Sequence, residues 1–161
     1  MTNAPIFAIN TEHVLPGTTS GVRQARAVTT GTLTGHYTAD LVDTAQLCVS
    51  EAVTNALRHT HSGDPGGTVI LRLYTLALGA SLYIDVEDQG PLKPGDRPRI
   101  SERAADPFSE HGRGLYLIHE LTRYWMYISG GDGRGCLCLT LDTTTGRTPA
   151  MNDDLDPQAT A

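Results

Sequence analysis

A chain of 161 residues has the length of one domain, and 39% hydrophobic with 19% charged residues is a globular composition with no run near the roughly 18 apolar residues that cross a bilayer. Twelve basic against eighteen acidic side chains give a formal charge of −6, which argues against nucleic acid as a partner. Met1 to Thr11 lacks the basic start and apolar run of a signal peptide, so the expected location is the cytoplasm, with no membrane partner.

Positions 6–14 partly alternate and read as an edge strand, and Pro16-Gly17 marks a turn. Thr18 or Ser20 is the candidate cap of a helix over about 22–33, its end weakened by Gly31 and Gly35. Asp40 then opens a stronger helix. Leu41, Ala45, Cys48, Ala52, Val53 and Leu57 recur at three- and four-residue steps up to about His61. The run from Ser62 to Gly67 is a loop. Positions 68–75 and 81–87 alternate as two strands of a hairpin turning at Gly79. The pattern then vanishes over 89–112, and a loop of that length inside a compact domain is usually functional or mobile. Its basic residues Lys93, Arg97, Arg99 and Arg103, with Arg113 just beyond, give it a local bias toward a polyanion. A helix over 114–122 follows, then strands at 125–128 and 136–141 around a glycine-rich hairpin tip.

The three cysteines, Cys48, Cys136 and Cys138, fit a reducing compartment better than a disulfide framework. Cys136 and Cys138 share one strand face, but no further ligand stands at a metal-binding spacing. All three are expected to be buried free thiols. After Asp142 the Thr/Asp/Pro-rich composition reads as a disordered tail. The expected organisation is an extension with the edge strand at 1–13, one domain at 14–142 and a tail at 143–161. The expected fold is α+β, a two-layer sandwich with a mostly antiparallel mixed sheet covered on one face by helices.

Three short segments carry candidate chemistry. Glu51, Asn55 and His59 stack on one helix face at four-residue steps. A carboxylate and a carboxamide one turn apart suit Mg²⁺ and its waters, or the carboxylate polarises a hydroxyl; alone, the spacing is also that of a solvated helix face. Asp88-Gln89-Gly90 ends a strand, where glycine lets backbone approach a ligand and the carboxylate accepts a hydrogen bond, as from an adenine amino group. Taken singly it is an ordinary strand-end turn. Gly112-Arg113-Gly114-Leu115 opens a helix whose first amides are an anion site, with Arg113 as a charged donor.

In this order the segments resemble the motif boxes of the GHKL ATPases, most closely the anti-sigma-factor serine kinase branch. Ser50 to Ala56 resembles the N box, Val86 to Pro91 the G1 box and Gly112 to Ile118 the G2 box, and Trp125 also fits the branch. The resemblance implies the Bergerat fold and ATP with Mg²⁺ as its ligands. It implies that Glu51 is the general base, that Asn55 holds Mg²⁺ and that Asp88 recognises adenine, with Gly90 beside it. Gly112, Arg113, Gly114 and Leu115 would contact phosphate, and 89–112 would form the ATP lid. The implied partners are a sigma factor and a STAS-type antagonist protein phosphorylated on serine or threonine, and the family's anti-sigma members dimerise. The alternative reading is an ATP-binding, anti-sigma-like regulator with little turnover.

Two positions depart from the pattern. Leu92 stands where a second G1 glycine is common, and Gly135 stands where the last-strand motif often has threonine, leaving Thr140 as a candidate for a different role. His119-Glu120 resembles a histidine-kinase phosphoacceptor box, but it lacks the proline and follows the G2 box. It is read as surface or packing.

Overall fold

The computed structural model describes residues 9–76, 80–100 and 112–144. Five strands, β1 (Asn10–Pro16), β2 (Thr68–Thr75), β3 (Ser81–Asp88), β4 (Tyr124–Ser129) and β5 (Gly135–Asp142), form one sheet in the order β1-β2-β3-β5-β4. Every strand pairing among the described residues is antiparallel, so the mixed character expected of the sheet is absent there. The 89–112 stretch and the helix after it carry the chain from β3 to β4, which leaves room for β5 to insert between them.

Alternation decides which face is covered. Val69, Leu71 and Leu73 of β2, Leu82, Ile84 and Val86 of β3, and Leu137, Leu139 and Leu141 of β5 are all buried, and the residues between them are only half-buried. Helices α1 (Thr19–Leu33), α2 (Ala39–His59) and α3 (Arg113–Leu121) cover the apolar rows. The expected α+β two-layer sandwich is therefore observed. The edge strand straddles position 14, so the sheet begins within the segment read as an extension. The Gly79 turn, positions 6–8 and the tail from 145 onward lie outside the described residues.

Helix α2 buries Leu41, Val42, Ala45, Cys48, Val49, Ala52, Val53 and Ala56, the stripe that its periodicity demands. Its N-cap is Thr38, whose hydroxyl accepts from the Leu41 amide, and not Asp40, which sits in the first turn where its charge meets the helix dipole. Helix α1 starts at Thr19, with Thr18 as an N-cap that makes no side-chain capping bond. Its buried positions Gly21, Ala25, Thr29 and Leu33 follow a four-residue step, and three of them are small enough for close packing against α2.

Candidate nucleotide site

The inward row of β3 runs Leu82, Ile84, Val86, Asp88, so the two-residue period that builds the core also carries a carboxylate to its edge. Asp88 is 4% exposed. Its Oδ1 accepts from the Gly90 amide at 2.8 Å, the Tyr127 hydroxyl donates to Oδ2 at 3.2 Å, and the Gly135 amide adds a further donor. Burial raises its pKa above the ordinary aspartate value, and these three donors work against that rise.

Asp88 lines a cavity of ≈ 220 Å³ with Asn55 and His59 of α2, Tyr127 of β4, Leu137 of β5, and Asp96, Arg97 and Arg99 from the segment after β3. Asn55 and Asp88, thirty-three positions apart in sequence, thus face one space. Glu51 lies one helical turn before Asn55 and outside that lining. Its carboxylate packs directly on Gly114, where any Cβ would collide with Glu51 Oε2. Gly112 is the N-cap of α3 in the left-handed conformation, φ +83°, and Arg113 opens the helix exposed to solvent. Leu115 is a core side chain, so its contribution to a ligand is confined to its backbone amide in the first turn. Helices α2 and α3 pack together, which brings the start of α3 beside Glu51.

The segment after β3 is tied to the end of α2. The His61 amide donates to the Gly90 carbonyl at 2.9 Å, the Leu92 amide to the His59 carbonyl at 3.0 Å, and the Gln89 amide to Ser62 Oγ at 2.9 Å. Leu92 fits without strain, because the left-handed turns are taken by Gly90 (φ +91°) and Gly95 (φ +83°). A Cβ on Gly90 would also meet the Gly133 carbonyl. Gly90→Ala is therefore expected to cost about 2–4 kcal/mol, from the positive φ and the backbone clash together. A thermal melt against wild type reads it directly. Residues 101–111 of the expected lid lie outside the described residues.

The departure at Gly135 has a structural counterpart. The space a side chain would fill there holds the Tyr127 hydroxyl, delivered from β4. A hydroxyl therefore does stand beside Asp88, from a different strand. Thr140, which shares the parity of Cys136 and Cys138, is on the opposite sheet face from Leu137 and the cavity and takes no part. Tyr127 and Ser62 were missed by sequence reasoning, and Gly135, singled out as a departure from the motif, was not read as a donor to Asp88. The one signal for Tyr127 was that strand parity places it on the helix-covered face with Trp125. His119 accepts from Trp125 Nε1 at 3.3 Å, the packing role read for it.

The profile of the histidine kinase-like ATPase domain family matches residues 15–141. The chain belongs to this family. Among its relatives it is 35% identical to the serine-protein kinase RsbW of Bacillus licheniformis and 33% identical to that of Bacillus subtilis strain 168, each over 91 residues. Each alignment takes in 53% of this chain and 56% of the relative, so the chain spans about half the length of the curated relatives it matches. A solved structure of the RsbU and RsbW domains of a Mycobacterium tuberculosis protein superposes with a TM-score of 0.61 at 19% identity, covering 88% of this chain and 33% of the other. At that identity it shows the shared fold. The family boundaries enclose all three motif segments and β2, β3 and β4 in full, while β1 begins earlier and β5 ends one residue later. No helix among the described residues is long and apolar enough to cross a membrane.

Proposed function

We propose that this family member binds Mg-ATP in the cavity at Asp88 and transfers the γ-phosphoryl group to a serine or threonine hydroxyl of an antagonist protein, acting as an anti-sigma-like switch in transcription. The supporting observation is a continuous arrangement: a buried carboxylate and Asn55 face one cavity, and Glu51, one turn along α2, packs on the glycine that opens α3.

Asp88, the buried acceptor, recognises the adenine amino group. The Gly112–Leu115 backbone and Arg113 receive the phosphates at the positive end of α3. Glu51 accepts the proton of the attacking hydroxyl as its oxygen bonds to the γ-phosphorus and the bond to the bridging oxygen breaks, releasing ADP. Asn55 is the residue that would hold Mg²⁺, through its carboxamide oxygen. When bound, that ion neutralises phosphate charge. A sigma factor and a STAS-type antagonist are the partners this reading assigns, with a homodimer as the working assembly.

The deciding experiment incubates the chain with γ-labelled ATP and a candidate antagonist. Label on a serine or threonine of the antagonist is the expected outcome. Saturable ATP binding with no transfer would leave an ATP-dependent partner-binding regulator, and no ATP binding would discard both.

A pH dependence follows from Asp88. Adenine recognition needs the ionised carboxylate, and burial lifts its pKa, so affinity is expected to fall on acidification at a higher pH than for an exposed aspartate. The Tyr127 hydroxyl stabilises the ionised form. Tyr127→Phe is therefore expected to move that fall to still higher pH, as read by nucleotide titrations across the acidic range.

A further inference from the structure

The sheet face that α1, α2 and α3 leave uncovered carries a cluster that the candidate nucleotide site does not use. Cys136 and Cys138 project from β5 on the opposite side to Leu137, and both are half-buried rather than buried, unlike Cys48. Asp85 of β3 is the register partner of Cys138. The two sulfurs and an Asp85 carboxylate oxygen all lie within 4.8 Å of one another, and the Sγ–Sγ separation is 3.6 Å.

That separation selects a ligand. Two thiolates bound at about 2.3 Å to one tetrahedral ion stand about 3.8 Å apart. Same-face neighbours on a strand have Cα atoms roughly 6.6 Å apart, near the upper limit for a disulfide, so a shared ion suits the pair better than a bond between them. The carboxylate is also prepared. The Tyr74 hydroxyl hydrogen-bonds to Asp85, and Tyr74 is itself held by stacking on Tyr83 at 5.2 Å. Such outer partners orient metal ligands. Glu87, across from Cys136, is not available, since Arg134 takes one of its oxygens at 2.6 Å and Arg72 the other at 2.8 Å.

We propose that Cys136, Cys138 and Asp85 form a site for a thiophilic divalent ion of the zinc class on the sheet face opposite the nucleotide cavity, with a fourth position open to water. Two sulfurs and one carboxylate are a zinc-type donor set, unsuited to a hard ion such as the magnesium proposed above for the other face. The ion would clamp β3 to β5 on the strands that supply Asp88 and Gly135.

The test titrates the reduced full chain with Co²⁺ and then Zn²⁺, following the thiolate-to-cobalt charge-transfer band, the visible bands of tetrahedral cobalt and the melting temperature. One equivalent, tetrahedral bands and a zinc-dependent rise in melting temperature are expected. Cys136→Ser or Cys138→Ser is expected to weaken zinc binding by more than the roughly 10–100-fold that loss of an outer partner costs. Tyr74→Phe would fall within that range, and Cys48→Ala would bind as wild type does. Melting without metal shows that each variant is folded. Absence of tetrahedral bands in wild type, or unchanged binding by the Cys136→Ser/Cys138→Ser double variant, would overturn the site.

Discussion

Replacing Asp88 by asparagine is expected to weaken Mg-ATP binding by about 100-fold while the chain stays folded. The carboxylate is buried at the end of an otherwise apolar row, with donors from Gly90, Tyr127 and Gly135 gathered round it. Those donors orient an acceptor into the cavity shared with Asn55. An amide keeps the shape and one acceptor but turns a donor toward the ligand or toward its own neighbours. A mismatched buried polar pair costs about 1–3 kcal/mol, and the upper end of that range is about a hundredfold in affinity. Calorimetric titration with Mg-ATP measures the loss, and a circular-dichroism melt separates it from unfolding. Equal affinity in the variant would remove Asp88 from the site.

Glu51→Ala is expected to act on turnover instead. It should leave ATP affinity within a few-fold of wild type and lower phosphoryl transfer by about 10²–10⁴-fold, the usual contribution of a positioned general base. The carboxylate lies outside the lining of the cavity where Asn55 and Asp88 meet, but against the first turn of α3, where the phosphate end of the ligand would be. Gly114→Ala provides a companion variant. Its methyl group would push aside the Glu51 carboxylate, a flexible group that can yield, so transfer is expected to fall with little change in melting temperature. Single-turnover transfer beside equilibrium binding separates the two effects. A parallel loss of binding and transfer in Glu51→Ala would assign it to nucleotide binding rather than to the proton.

Much of this was legible because two periods write directly into structure. The three- and four-residue recurrence from Leu41 to Leu57 gave α2, and the alternation in β2 and β3 gave their faces and so the inward direction of Asp88. The cap of α2 was harder, because Thr38 and Asp40 are both competent. The chain takes Thr38, three residues before Leu41, the first buried position. The partners of Asp88 were not legible. Tyr127 lies thirty-nine positions away, and its hydroxyl reaches Asp88 only because β5 carries a glycine where a side chain would block it. That glycine reads in sequence as part of a hairpin tip. Cys136 and Cys138 were read as buried because their strand is apolar. Parity opposite to that of Leu137 and Leu139 in fact puts them on the face that no helix among the described residues covers.

The central claim is that the Glu51–Asn55 turn, the Asp88–Gly90 corner and the start of α3 serve one nucleotide together. Backbone-amide NMR during a Mg-ATP titration tests it most directly. The expected result is that the amides of Asn55, Gly90, Gly114 and Leu115 shift together along one binding isotherm, with the open-face strand residues Asp85 and Cys138 nearly still. Shifts confined to one segment, or separate isotherms for the α2 and α3 amides, would contradict it.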